Sequence, residues 1–545
     1  MSSIVLAMGS ILIFIIGYRF YGRVLEKLFD VKKENTTPAN YKYDGIDYVP
    51  AKNWLILFGH HFSSIAGAGP ILGPVIACAV WGWFPAVLWI ILGSIFFGGV
   101  HDFSSLMISL RNDGKSIGDT AESVLGSKAK IIFSIFLWLS LILVIAVFAA
   151  SAAKTLETTP EIAIPTFGII ILAIFVGLML YKFKMNTILS TVIGVILMFG
   201  LILLGIKFPI KWTYTGWLIS LLIFYAYTAS VLPVNIILQP RDYLSFFILF
   251  FGLLAGYIGI FITRPEIKTP AFVSFKGSEG TLFPMMFITI ACGAISGFHS
   301  LVASGTTSKQ LNNEGDAKKI GYGAMLIEGV LSILAVISVS AGLYWLGGKE
   351  GFVYPELVKE GKWIVAFGKG YGEIAKPLFG TLGMFIGITM LKTFIVTTLD
   401  TATRITRYIG DELFGGTFKI KFMKNMYVNT AIVIGLATYL SLGPWQSIWP
   451  VFGASNQLVA ALTLLVVTVW LLSRNKATLY TLIPSILMLI FTLTALSIQT
   501  VKFFKSSKIL LGIISVLLLI LALFMISETT KLFVLKLKTK SGDGA

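Results

Sequence analysis

The chain alternates long apolar runs with short polar loops, and one of these runs is interrupted at its centre. Residues 53–83 are long and apolar enough to cross a bilayer, yet they contain His60 and His61, followed by FSSIAGAGPILGP. Glycine carries an entropic cost in a helix and proline lacks a backbone donor, so a continuous helix is disfavoured. Backbone groups freed within a membrane are tolerated only where protein or a water-filled cavity satisfies them. The pattern predicts a broken membrane helix, which is typical of a transporter's substrate site.

A membrane helix needs about 20 mostly apolar residues, and this criterion predicts an all-α polytopic membrane protein with about fifteen spans. They lie near 3–22, 53–80, 84–110, 130–153, 163–181, 187–206, 214–238, 242–263, 281–305, 320–346, 376–403, 426–442, 447–473, 477–500 and 508–534. The basic residues collect on one side of the membrane when the N-terminus is placed outside. This bias predicts a cytoplasmic C-terminus.

A second broken helix is predicted at residues 217–240, where Ser230, Pro233 and Asn235 come late in an apolar run. It is the fifth span after the first broken one and runs in the opposite direction. Two antiparallel interrupted helices at this spacing favour an inverted repeat of five plus five helices. The chain then divides into a peripheral first helix with a basic cytoplasmic loop, a transport core, and four additional C-terminal helices, at 1–52, 53–410 and 411–545.

Composition agrees with a membrane location. The chain of 545 residues is 56% hydrophobic and 13% charged, whereas about 25% of the residues of a soluble protein are charged. The net charge of +17 is spread over short loops, so no nucleic-acid partner is expected. The sequence contains no Walker A, HExxH or haem-binding motif, which argues against ATP-driven transport and against an enzyme.

Ionisable residues inside spans are costly and usually functional. All four histidines lie in or beside apolar segments, where they are expected to handle substrate or protons; the alternative is a neutral imidazole bonded to a freed carbonyl. The candidate substrate-binding residues are His60, His61, Ser64, Gly67, Gly69, Pro70, Ser230, Pro233, Asn235 and His299. The candidate coupling residues are His101, Asp102, Ser304, Thr306, Thr307, Glu328 and Lys392. No cofactor or metal site is expected.

Lys392 lies near the middle of a span, so it either replaces a coupling cation or pairs with one of three carboxylates, Asp102, Glu328 or Asp400. Asp400 and Arg404 are four residues apart on one helix and are expected to form a structural pair.

Two further apolar segments contain clusters of polar and small residues. The small residues of 292–311 favour close helix packing, and the alternative is that their hydroxyls help to line a cation or substrate site. Residues 455–457, Ser-Asn-Gln, are expected to hydrogen-bond between helices.

Eight stretches resemble the carbon starvation protein A family of bacterial and archaeal transporters. They are GHHFSSIAGAGPILGPV (59–75), GGVHDF (98–103), RNDGKSIGD (111–119), YAYTASVLPVNIILQPRDYL (225–244), CGAISGFHSLVASGTTSKQL (292–311), GYGAMLIEG (321–329), TTLDTATRITRY (397–408) and WPVFGASNQLVAAL (449–462). The resemblance implies secondary active transport with a LeuT-type core, in the cytoplasmic membrane. It also implies pyruvate or short peptides as substrates and proton-driven uptake. Na⁺ coupling remains an alternative, as does a receptor that senses a carbon source without transport; the oligomeric state stays open.

Overall fold

The computed structural model describes residues 2–212, 214–443 and 445–542. Within these ranges the chain is built of helices, apart from one two-stranded hairpin, β1 Lys276–Gly277 with β2 Gly280–Thr281. Met1, Thr213, Pro444 and 543–545 lie outside the described residues, so the ends of the predicted segments 1–52 and 411–545 do too.

The α-helices of the first half lead up to the long loop after residue 263. They are α1 Ser3–Ile16, α2 Gly22–Leu28, α3 Pro38–Tyr41, α4 Trp54–Ile65, α5 Gly69–Trp81, α6 Trp83–Gly93, α7 Gly99–Arg111, α8 Ile117–Leu125, α9 Ser127–Thr158, α10 Ala163–Gly177, α11 Thr187–Lys207, α12 Thr215–Val231 and α13 Leu238–Thr263.

The α-helices of the second half follow that loop. They are α14 Phe287–Thr289, α15 Gly297–Val302, α16 Gly323–Gly342, α17 Tyr354–Lys359, α18 Trp363–Phe379, α19 Gly383–Gly410, α20 Met426–Ser441, α21 Trp445–Ser473, α22 Leu479–Lys505 and α23 Ile509–Gly542.

Shorter helical turns extend or join these helices. The π-helical turns are Gly17–Tyr21, Ser94–Gly98, Leu178–Lys182, Leu282–Met286, Ala303–Thr307, Lys318–Tyr322 and Asp411–Thr417. The 3₁₀ turns are Pro160–Ile162, Glu314–Asp316, Gly380–Leu382 and Lys421–Lys424.

By length and composition, 11 helical stretches of the described ranges could cross a membrane. The number of spans rises to 12 if the bent pair of α4 and α5 is counted as one more. Two shorter apolar helices, α12 and α20, add to these. The prediction of an all-α polytopic protein is confirmed. The predicted number of about fifteen spans is higher than this count.

The first interruption lies where the sequence predicts it. The helix α4 ends at Ile65, α5 begins at Gly69, and the two axes differ by 43°. Pro70 lies in the first turn of α5, where its missing N–H costs no hydrogen bond.

The second interruption is not at residues 217–240. There α12 ends at Val231 and a new helix begins at Leu238, so Pro233 lies in a connection between two helices. A second interruption lies instead at residues 290–296, which separate the short helices α14 and α15.

Residues 363–417 form one 55-residue helical stretch that folds back on itself. At the turn, Gly380 has φ of 56°, a left-handed conformation that favours glycine. A Cβ added at Gly372 of α18 would lie 2.8 Å from the backbone nitrogen of Met384 in α19, so the two helices are antiparallel and in close contact. The sequence predicted a single span at 376–403 here, preceded by a loop.

Helix packing brings the two interrupted segments together. The helix α9 packs along α19, and both contact α12 and α20. The helix α4 packs on α13 and α15 packs on α21; α5 contacts α16, and the π turn after α15 contacts α7. The two interruptions meet at Gly69, where an added Cβ would lie only 2.7 Å from the Cβ of Cys292.

We expect Gly69→Ala to lower the free energy of unfolding by about 1–3 kcal/mol, because the new methyl group overlaps a backbone-anchored neighbour. Thermal unfolding of the detergent-solubilised protein measures this. Gly200→Ala, on an exposed helix face with no atom within 4 Å, is the matched control and should not destabilise. Cys292→Gly should restore the stability of Gly69→Ala; a loss that persists in the double variant would contradict the contact.

Candidate functional site

At the first interruption, backbone groups accept hydrogen bonds from side chains of α19. The carbonyl oxygens of Ser63 and Ser64, in the last turn of α4, accept from the hydroxyls of Thr397 and Thr398 at 2.5 and 3.1 Å. A Cβ added at Gly67 would lie 3.1 Å from the Thr398 hydroxyl, so a larger residue would fit only if its neighbours moved. Residues 59–78 are all buried. These two carbonyl groups at the end of α4 are therefore satisfied by protein in this conformation.

The second interruption is hydrogen-bonded by α21. The Asn456 side chain accepts from the backbone N–H of Phe298 at 2.7 Å and donates to the Ser296 hydroxyl at 2.9 Å. Gln457 donates to the carbonyl oxygen of Phe287 at 2.7 Å. The prediction that these amides bond between helices is confirmed, and their partners are the two ends of the broken helix.

Two consecutive histidines contact two consecutive threonines. His60 Nε2 lies 3.3 Å from the hydroxyl oxygen of Thr306, and His61 Nδ1 lies 2.8 Å from that of Thr307. All four side chains are buried. Adjacent residues on a helix project about 100° apart, so the two rings face different surroundings. Each belongs to a different cluster of charged groups.

The Asp102 cluster consists of His101, Asp102, His299 and Glu328, all with no exposed surface. His101 Nδ1 lies 2.8 Å from one oxygen of Asp102, and His299 Nδ1 lies 2.9 Å from the other. Nε2 of His299 is 3.5 Å from Glu328, which places this imidazole between two carboxyl groups. Asp102, His299 and His60 are also close enough to His61 to interact with it electrostatically. Such a cluster can bind or release a proton within a buried region.

The Arg241 cluster consists of Tyr225, Arg241, Asp242, Asp400 and His60, and all five side chains are buried. The guanidinium lies 2.8 Å from Asp242 and 3.0 Å from Asp400, and it donates to the Tyr225 hydroxyl at 2.7 Å. Tyr225 donates in turn to Asp400. His60 Nδ1 lies 2.6 Å from Asp242. This cluster joins α4, α12, α13 and α19.

Sequence reasoning missed the role of Arg241 and Asp242. They stand at the start of an apolar run, where a charged residue is usually a loop residue. The signal that could have found them is the family-like stretch 225–244, which also contains Tyr225.

The expected pair of Asp400 and Arg404 is wrong. Asp400 bonds Arg241, while Arg404 binds Asp47 at 2.6 Å. Nor does Lys392 pair with a carboxylate. Its ammonium has no hydrogen-bond partner within the described part of the chain.

The remaining predicted residues have separate surroundings. Ser64 contacts Asp242 at 3.4 Å and Thr401 at 3.0 Å, at the edge of the Arg241 cluster. Ser304 accepts from the backbone N–H of Ile117 at 3.1 Å and so anchors the start of α8.

Ser230, Pro233 and Asn235 lie at and after the end of α12, away from both interruptions along the chain. Their neighbour Val234 donates to the carbonyl oxygen of Ile46 at 3.0 Å, which ties this connection to the loop before α4. Their part in substrate binding stays a prediction.

The loop before α4 is held by the Asp47 cluster, which consists of Asp47, Arg404, Arg407 and Tyr408. Asp47 lies 2.6 Å from Arg404 and 3.1 Å from Arg407, and it accepts from Tyr408 at 2.6 Å. Burial would raise the pKa of Asp47, but the guanidiniums of Arg407 and Arg404 outweigh it and lower the pKa to about 2. Asp47 therefore stays charged at every physiological pH.

The model of the family described as carbon starvation protein CstA matches residues 2–345 and 357–495. The chain belongs to the carbon starvation protein CstA family.

Relatives in the CstA family are transporters rather than enzymes. The pyruvate/proton symporter BtsT of Escherichia coli is 33% identical, over 91% of this chain and 82% of its own length. The peptide transporter CstA of Bacillus subtilis is 33% identical, over 86% of this chain and 85% of its own length. The peptide transporter CstA of Escherichia coli is 32% identical, over 90% of this chain and 80% of its own length.

A solved transporter shares the fold of this CstA-family chain. A mutant of the Eremococcus coleocola manganese transporter superposes with a TM-score of 0.52 over 90% of this chain and 99% of its own, at 12% sequence identity. With its apolar helices and transporter relatives, the chain is a multi-pass membrane protein.

A double-mutant cycle tests the Arg241 cluster. Asp400→Ala should cost about 3–5 kcal/mol of stability, because it leaves part of a buried guanidinium without its counter-charge. Combined with Arg241→Met it should show a coupling energy of about 1–3 kcal/mol in thermal unfolding. Asp400→Ala and Arg404→Met serve as the control cycle, with a coupling below about 0.5 kcal/mol. A larger coupling energy between Asp400 and Arg404 than between Asp400 and Arg241 would support the pairing of Asp400 with Arg404 instead.

Proposed function

We propose that this chain is a proton-coupled symporter that imports pyruvate or short peptides. The observation that carries the proposal is a set of buried histidines and carboxyl groups beside two interrupted membrane helices. Ionisable groups inside a membrane cost free energy and are kept where protons or substrates move. The 33% identity to a pyruvate/proton symporter supports both the coupling ion and the substrate class.

The helix contacts support a LeuT-type core of five plus five helices. In this proposal the first repeat is α4–α5, α6–α7, α9, α12 and α13, and the second is α14–α15 with its π turn, α16, α19, α20 and α21. Contacts in one repeat have counterparts in the other: α4 packs on α13 as α15 packs on α21, and α5 contacts α16 as the π turn contacts α7. The proposed core then extends past residue 410 to the end of α21, with α10–α11 and α17–α18 as insertions.

The substrate carboxylate is proposed to bind at the N-terminus of α5. Gly67 and Gly69 leave the backbone beside Pro70 without side chains that would block an approaching ligand, and the helix dipole favours a negative group. At the other interruption, the N–H of Phe298 in the first turn of α15 already bonds Asn456. His61, which has one unpartnered ring nitrogen among the described residues, lies on the same broken segment and is proposed to assist binding.

The coupling proton is proposed to bind in the Asp102 cluster. His299 lies between Asp102 and Glu328, so the positive charge of a protonated ring is stabilised by two nearby carboxyl groups. Binding a proton there offsets the charge of an incoming carboxylate. Thr306 and Thr307 bond His60, which belongs to the Arg241 cluster, and the adjacent His61.

The Asp47 cluster is proposed to be the cytoplasmic gate. It ties the loop before α4 to the end of α19, on the side that the positive-inside rule assigns to the cytoplasm. With this cluster formed and both interruptions buried, the conformation is closed towards the cytoplasm. Opening requires these ion pairs to separate so that α4 can move away from α19.

Uptake into proteoliposomes tests the proposed function. We expect labelled pyruvate or a dipeptide to accumulate when the lumen is alkaline. Asp102→Asn should reduce this uptake by about tenfold or more, equal to about 1.4 kcal/mol, because an amide lacks the negative charge that stabilises a proton on His299. Exchange of substrate across the membrane without a gradient should persist.

The control for this experiment is Glu373→Gln, the same change at a largely exposed side chain, which should leave uptake unchanged. Accumulation driven by a Na⁺ gradient but not by a pH gradient would replace the proton as the coupling ion. Substrate binding without any flux would favour the alternative that the chain is a receptor that senses a carbon source without transport.

Labelling of Cys292 tests the gate. This buried residue lies at the second interruption, so an impermeant maleimide should reach it only when the cytoplasmic side opens. In a Cys78→Ala background, Asp47→Ala should increase the labelling rate several-fold. Asp113→Ala breaks an exposed ion pair with Lys42 and should leave the rate unchanged. Equal rates for the two variants would contradict a gating role of Asp47.

A further inference from the structure

Lys392 is an unusual residue in this fold. It lies on α19, its side chain is 1% exposed, and its ammonium has no hydrogen-bond partner among the described residues. A charged group without a counter-ion or hydrogen bonds is strongly disfavoured in a membrane interior. Something must therefore satisfy this group.

The Lys392 side chain borders a small cavity enclosed by α10, α13 and α19. The cavity measures about 20 Å³, which is room for one water molecule or an ion of similar size. Its lining includes two cationic residues, Lys392 and Arg241, and no carboxylate; most of the remaining lining is apolar.

The hydroxyl groups around the cavity are of two kinds. Thr389 and Thr393 donate to carbonyl oxygens of their own helix at 2.9 and 2.8 Å, so their protons are already used. Ser245 is 1% exposed, and its hydroxyl has no partner in the described chain. Ser245 and Lys392 are thus two unsatisfied donors that border the same cavity.

We propose that this cavity binds a monatomic anion, chloride. An anion accepts from both free donors and compensates the ammonium charge, whereas a water molecule supplies no charge. The cavity is too small for pyruvate or a peptide. Arg241 is already paired with Asp242 and Asp400, so Lys392 supplies the uncompensated positive charge, which disfavours a cation. The apolar remainder of the wall suits a weakly hydrated halide. The site is separate from the proposed transport site and stands whether or not the chain carries pyruvate.

Thermal unfolding of the purified full-length protein tests this. At constant ionic strength, replacing sodium gluconate by sodium chloride should raise the Tm by a few degrees in a saturable way, because a ligand that binds only the folded state stabilises it. Sodium bromide should act in the same way. Ser245→Ala should raise the half-saturating chloride concentration several-fold.

Lys392→Met is the decisive variant. It should abolish the chloride response, and in gluconate its Tm should equal or exceed that of the natural protein, because an uncompensated buried charge has been removed. Lys376→Met changes an exposed lysine and should keep the full response.

Two results would overturn the proposal. One is a natural protein whose Tm is the same in chloride and gluconate, which would mean that Lys392 is a neutral amine beside water. The other is a chloride response that persists in Lys392→Met. Anomalous diffraction from crystals grown in bromide gives an independent test without any variant, and a cavity that contains no bromide peak would contradict the site.

Discussion

Two interruptions leave backbone donors and acceptors that, inside a membrane, must be satisfied by protein or by a water-filled cavity. The neighbours of each interruption are arranged to meet this requirement. Thr397 and Thr398 bond the carbonyl groups of the first, and Asn456 and Gln457 bond both ends of the second. The helices that supply these side chains, α19 and α21, are therefore fixed against the breaks. The contacts of α9, α12 and α20 with α19 follow from that placement.

Buried charge imposes a second constraint. Arg241 is fully surrounded by protein and is neutralised by Asp242 and Asp400, with Tyr225 completing its hydrogen bonds. These residues come from three helices, so the ion cluster determines how α12, α13 and α19 can pack. Removing one member leaves the others uncompensated, which makes the cluster specific for a single arrangement.

The sequence predicts the all-helical membrane fold and the first interruption, because apolar length and a Gly-Pro-rich centre are local signals. It places the second interruption at Pro233, which turns out to lie between two helices. The actual break at residues 290–296 contains no proline, and its one glycine, Gly293, is equally consistent with close packing. The helix α18 was missed because Lys369, Glu373 and Lys376 lower its apolar character.

In the candidate site, too, residue types could be predicted from the sequence but partners from distant segments could not. The histidines could be identified from their residue type alone, and the structure brings His101 and His299 to one aspartate. The partners of Arg241 and Arg404 could not be identified, because a spacing of four residues predicts a local pair while burial selects partners from distant segments.

The adjacency of His60 and His61 has a mechanical consequence. One ring touches the carboxylate of Asp242 and the other bonds Thr307, and both are attached to the same turn of α4. A rotation of that turn large enough to release one ring displaces the other as well. Neither ring can then change its partner alone. In the proposed transport cycle, the covalent backbone of α4 thus links the rearrangement at Asp242 to the one at Thr307.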